Sequence, residues 1–131
     1  GIGPYIAERL KDDLSQDNVL DCGTIPENYT GVIKRQKPKT LIIIDAAEMN
    51  LHPGEIRIIP REKLATMHFS THGIPLSVLI KYLEKDVPHI IFIGIQPETT
   101  QGTLSDPVKK SGDDLIRILQ QKKIEQIPVL Q

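Results

Sequence analysis

The sequence predicts a three-layer α/β domain, an αβα sandwich with a mostly parallel sheet between helices. Two observations carry that reading. The runs Leu41–Ile42–Ile43–Ile44 and His89 to Ile95 are apolar on both alternating faces, as strands inside a parallel sheet are. Segments of helical spacing alternate with them, and this alternation marks layered α/β folds. A chain of 131 residues has the length of one domain with a workable core. With no internal repeat and no linker, residues 1–131 read as a single domain.

Each element has its own local reason. Ile6, Leu10 and Leu14 recur every fourth residue, which predicts a first helix. Pro4 fits its first turn, where a missing N–H costs nothing. Asn18 to Asp21 is a short strand candidate. Thr24 and Glu27 have the spacing of a capping box, and the helix they open runs to about Gln36, before Lys37–Pro38. Leu41 to Ile44 is the central strand. Gly54 to Ile59 alternates Glu55 and Arg57 with Ile56 and Ile58, which predicts a half-exposed strand. It follows Asp45 after only a turn-rich connection, so it is expected to run antiparallel. Pro75 opens a helix carrying Leu76, Leu79, Ile80 and Leu83. After the strand from His89 to Ile95, Asp106–Pro107 caps a last helix with Val108, Leu115, Ile116 and Leu119 on its apolar face. The chain starts at a helix, whereas a βαβ domain starts at a strand. The expectation is therefore a five-stranded sheet whose first strand stands ahead of Gly1 and is missing from this chain.

Composition narrows the function classes. Sixteen Lys and Arg stand against seventeen Asp and Glu, a formal net charge of -1. That balance argues against a nucleic-acid binder and against a polybasic membrane binder. The apolar runs are far shorter than the about 20 residues that span a bilayer. Gly1–Ile2–Gly3–Pro4 is not the start of a signal peptide. Cys22 is the single cysteine, so no disulfide forms within the chain, and a reducing, cytoplasmic setting is expected.

Ligands in such sheets sit outside the carboxyl ends of the strands. Three polar segments fall there: Asp21–Cys22–Gly23–Thr24, Asp45 directly after the central strand, and Gly94–Ile95–Gln96–Pro97. His72 precedes the helix that starts near Pro75, and a helix N-terminus disfavours the imidazolium. A carboxylate and a neutral imidazole suit a divalent transition metal. On spacing alone the plainer readings stay open. Asp45 has the alternative of capping the following turn. His72 has that of an ordinary loop hydrogen bond, and Cys22 that of a small buried side chain. His52, beside Pro53–Gly54, and His89, at a strand start, are weaker candidates, as is His68. Ser70–Thr71–His72 lacks the G-x-S-x-G elbow of a serine nucleophile.

Taken in order, these segments resemble the hydrogenase maturation proteases, of the hydrogenase-3 or formate hydrogenlyase type. The resemblance rests on Gly1–Ile2–Gly3–Pro4, Asp21 to Asn28, Leu41 to Met49, Pro53 to Ile59, Ser70–Thr71–His72 with Pro75–Leu76, and Gly94 to Pro97. It adds little beyond Thr99. It implies a phosphorylase/hydrolase-like αβα fold and an endopeptidase, aspartic-type by family classification. Such enzymes remove a C-terminal extension from the nickel-loaded large-subunit precursor of a [NiFe]-hydrogenase, cutting after a basic residue. Nickel would come with the precursor, with no organic cofactor, and the protease would be a cytoplasmic monomer without membrane insertion.

Residue by residue, the resemblance assigns catalytic and metal-contacting roles to Asp45 and His72. It assigns substrate recognition to Asp21, Cys22, Gly23 and Thr24. The family's remaining acidic ligand would stand immediately before Gly1, outside this sequence. Cys22 departs from the family's usual glycine and bears on precursor preference. The competing readings are a non-catalytic α/β metal- or ligand-binding module and an unrelated hydrolase on a similar fold.

Overall fold

A computed structural model of the chain describes residues 17–21, 39–64, 66, 67, 70, 71, 74–98 and 106–131. The helices expected from Ile6 to Leu14 and from Thr24 to Gln36 lie outside these residues. Strand β1 is Asp17–Asp21 and β2 is Thr40–Ala46. They pair in parallel, with Asp17 opposite Thr40 and Asp21 opposite Ile44. Strand β3, Ile56–Ile58, is shorter than the expected Gly54 to Ile59. Gly54 has φ +93 and forms part of a tight turn instead. A methyl group there would stand 2.8 Å from Ser111 Oγ and 2.9 Å from Pro107 O, so the site also lacks room for a side chain.

A short helix α1, Arg61–Leu64, and a two-stranded hairpin of β4, Ser70–Thr71, and β5, Ile74–Pro75, follow. The sequence reading contained neither. Helix α2 is Leu76–Leu83, starting directly after Pro75 as expected. Strand β6, His89–Ile95, lies beside β2 in parallel, with Ile44 opposite Ile93 and Asp45 opposite Gly94. Helix α3 is Asp106–Gln120, with Pro107 in its first turn. Its end is a Schellman motif: Lys122 N–H donates to Leu119 O at 3.1 Å and Lys123 N–H to Ile118 O at 3.0 Å. Lys122 takes the left-handed conformation there, φ 57.

Among the described residues the main sheet has the order β1-β2-β6-β3. β1, β2 and β6 are parallel, and β3 runs antiparallel to β6, with Arg57 opposite Gly94, as its turn-rich approach implied. The C-terminal segment covers the outer edge of β3. Ile58 N–H donates to Pro128 O and Leu130 N–H to Ile58 O, each at 2.9 Å. Covering an edge in this way removes a template for unwanted strand pairing.

The middles of β2 and β6 are apolar because both faces of the sheet are covered there. Leu41, Ile43 and Phe92 face one side, packing with Leu64 of α1 and Ile80 and Leu83 of α2. Ile42, Ile44, Ile93 and Ile95 face the other, packing with Val108, Leu115, Ile116 and Leu119 of α3. The period of two along each strand thus builds two cores and three layers. Each such side chain contributes about 1.5–3 kcal/mol on burial. No helix among the described residues is long and apolar enough to cross a membrane.

Candidate active site

Strand polarity decides where the polar residues gather. Since β1 and β2 run parallel, their carboxyl ends lie at one edge of the sheet. Asp21 ends β1 opposite Ile44, so it stands one residue short of the level of Asp45 on β2. Two of the predicted site residues therefore share this edge. Cys22, Gly23, Thr24 and His72 lie outside the described residues, as does His68. His72 falls in the sequence between the paired positions Thr71 and Ile74, ahead of α2.

Asp45 is half-buried, and its Oδ1 accepts from the N–H of Ala46 at 2.8 Å. The carboxylate thus engages the local backbone at the strand end. The chain then crosses over β6. Ala47 N–H donates to Ile95 O at 3.0 Å, and the buried side chains of Ala47 and Met49 pack beside Gly94.

A third polar residue at this edge is Gln96, just beyond β6 and only 4% exposed. Its Oε1 accepts from Met49 N–H at 2.7 Å and from Leu51 N–H at 3.3 Å. Its Nε2 donates to the Glu48 carboxylate and to Pro97 O. The sequence reading placed Gln96 at a polar strand end but found no partner for it. Met49 and Gln96 are 47 positions apart, and no local pattern links them.

Two of the weaker histidine candidates lie among the described residues. His52 is exposed in the turn before Gly54, where its N–H donates to Glu55 Oε2 at 2.7 Å. That bond holds the Glu55 carboxyl below the usual glutamate range, against a smaller desolvation effect and with help from Arg57, whose guanidinium lies 3.1 Å away. His89 is exposed at the amino end of β6, the opposite edge of the sheet from Asp45. A cavity of about 380 Å³ opens at that far edge, between Thr40, Ile59, Arg61, Glu84, His89 and Phe92. An Arg61–Glu84 ion pair is among its lining residues, and it is remote from the carboxyl edge. Among the described residues no group of three or more His, Cys, Asp and Glu side chains is gathered to hold a metal ion.

Comparisons with known proteins identify the family. The family model for hydrogenase maturation protease matches residues 4–122. The hydrogenase 3 maturation protease of Escherichia coli K12 is 43% identical over 101 residues, which span 75% of this chain and 64% of that protein. The solution structure of the endopeptidase HycI from Escherichia coli has a TM-score of 0.84 at 34% identity, covering 100% of this chain and 87% of that one. The crystal structure of a [NiFe] hydrogenase maturation protease HycI from Thermococcus kodakarensis has a TM-score of 0.73 at 30% identity, covering 92% and 83%. With a mixed α/β fold shared with these structures, and a family match over nearly its whole length, the chain belongs to the hydrogenase maturation protease family.

Proposed function

We propose that this chain is the endopeptidase that removes the C-terminal extension from a nickel-loaded [NiFe]-hydrogenase large-subunit precursor. The observation that carries the proposal is the position of Asp45. It stands at the carboxyl end of the central strand of a sheet shared with the HycI proteases, with Asp21 on the neighbouring strand end. This is the edge where α/β sheets bind their ligands.

In this reading Asp45 and His72 meet the nickel that the precursor already carries, together with the further acidic ligand that the resemblance implies. The metal belongs to the substrate, and a carboxylate and an imidazole are suitable donors to it. Gripping it places the scissile peptide by proximity, which removes much of the entropic barrier. Asp45 then serves as the aspartic-type base that takes a proton from the attacking water. The hydrogen bond from Ala46 N–H fixes the orientation of its carboxylate. The segment Asp21–Cys22–Gly23–Thr24 continues from the end of β1 and contacts the precursor beside the cut. The protease works as a cytoplasmic monomer on a protein substrate, without nucleic acid, membrane insertion or an organic cofactor. The full fold is the five-stranded αβα sandwich of the phosphorylase/hydrolase-like kind.

The test is cleavage of a nickel-loaded precursor by Asp45→Ala and His72→Ala. Each variant is expected to lose processing by a factor of at least about 10², with an unchanged melting temperature. A nickel-free precursor is expected to stay uncut by the native chain. Native rates from both variants would remove the site assignment. Equal cutting of nickel-free precursor would remove the metal's role.

A further inference from the structure

Gln96 is built into the loop between β2 and β3 from every side. Its side-chain carbonyl receives two backbone N–H groups, from Met49 at 2.7 Å and Leu51 at 3.3 Å. Its amide nitrogen donates to the carboxylate of Glu48. Its backbone N–H donates to Glu55 O at 2.9 Å, and its backbone carbonyl accepts from Gly54 N–H at 2.8 Å. One buried residue therefore holds positions 48, 49, 51, 54 and 55. The segment they span follows Asp45 after Ala46, the last residue of β2, and Ala47, whose N–H donates to Ile95 O at 3.0 Å.

From this geometry we infer that Gln96 is the positioning residue of the site: it holds the loop that sets how Asp45 is presented. The inference rests on the reading of Asp45 as a site residue. Gln96 acts through the backbone, its side-chain bonds running to Glu48, Met49, Leu51 and Pro97. The chemistry of its side chain is specific. Two backbone donors need an acceptor, and the Glu48 carboxylate needs a donor. Glutamine supplies both on one rigid amide. Glutamate keeps the acceptor but sets a carboxylate against Glu48. An apolar side chain leaves two N–H groups without their acceptor. Ala46, whose N–H orients Asp45 Oδ1, ends β2 opposite Ile95, the residue before Gln96, and Ala47 N–H is tied to Ile95 O. A Gln96 that loses its bonds therefore disturbs the backbone that presents the carboxylate. A misplacement on the order of 1 Å can cost about 10²-fold in rate.

Four forms of the full chain test this: Gln96→Glu, Glu48→Gln, the two together, and Asp45→Ala as the reference for a lost site. Each is assayed on the nickel-loaded precursor for kcat and KM, and its melting temperature is recorded. Gln96→Glu is expected to lower kcat by about 10- to 100-fold with KM within about twofold. The double variant is expected to recover most of that loss, because the amide introduced at position 48 then donates to the carboxylate introduced at position 96. A merely structural role would lower the amount of folded enzyme and leave the kcat of the folded fraction unchanged. If Gln96→Glu does not fold, Gln96→Asn replaces it, since it withdraws the same amide by one methylene, and the same fall in kcat is expected. Native kcat in Gln96→Glu, with Asp45→Ala inactive, overturns the positioning role and leaves the site standing. A fall in kcat that the double variant does not recover, with native melting behaviour, also overturns it. Native activity in Asp45→Ala removes the site itself, and the positioning role with it.

Discussion

Asp45 on β2 and Gly94 on β6 are register partners, and Arg57 on β3 stands on the other side of Gly94. The middle of that row lacks a side chain because the chain leaving Asp45 folds back over it. A Cβ at position 94 would stand 2.7 Å from Ile59 Cδ1, 2.9 Å from Ala47 Cβ and 3.2 Å from Met49 Sδ. Gly94→Ala is therefore expected to destabilise the fold by about 1–3 kcal/mol, the usual cost of overpacking. This is opposite in sign to the gain that alanine normally brings over glycine in regular structure. Urea unfolding measures it, and a neutral or stabilising result would mean the loop is not seated on Gly94.

The two cores make a second prediction. Leu83 of α2 and Leu115 of α3 are both fully buried, on opposite faces of the sheet. Each change to alanine is expected to cost about 2–5 kcal/mol. The sheet separates them, so the double variant should show the sum of the two costs. Strong coupling between them would argue against two separate cores.

Lys122 ends α3 in a left-handed conformation that costs a side-chain-bearing residue energy. Lys122→Gly keeps the Schellman bonds and removes that strain. It is expected to raise stability by about 0.5–1 kcal/mol, read as a higher melting temperature. A fall would show that Lys122 makes a compensating contact.

Glu55 predicts a response to acid. Its folded pKa is lowered, chiefly by the His52 N–H. Its contribution is therefore complete above the ordinary glutamate range and is lost as pH falls through the lowered folded value. The carboxyl carbon of Glu55, followed by NMR, should titrate below an unstructured reference peptide. In Glu55→Gln the acid-dependent loss should be correspondingly smaller. A midpoint at or above the reference would contradict the capping of His52.

By itself the sequence determined the elements whose partners are recorded in their own local pattern. Continuous β-branched runs located β2 and β6, because burial on both faces demands apolar residues at every position. The spacing of Val108, Leu115, Ile116 and Leu119 located α3, since one helix face meets one sheet. Asp45 was legible as the first polar residue after a buried strand, and the ordered motifs carried the family. The tertiary structure alone decided which distant pieces meet. The level of Asp21 beside Asp45 depends on the parallel register, which no single strand encodes. The pairing of Pro128–Leu130 with β3, the need for glycine at 94 and the hold of Gln96 on Met49 depend on backbone groups far apart in the chain. A hydrogen bond to a backbone N–H leaves no side-chain pattern at the donor, so only the folded geometry reveals that Gln96 holds the loop that follows the strand on which Asp45 stands.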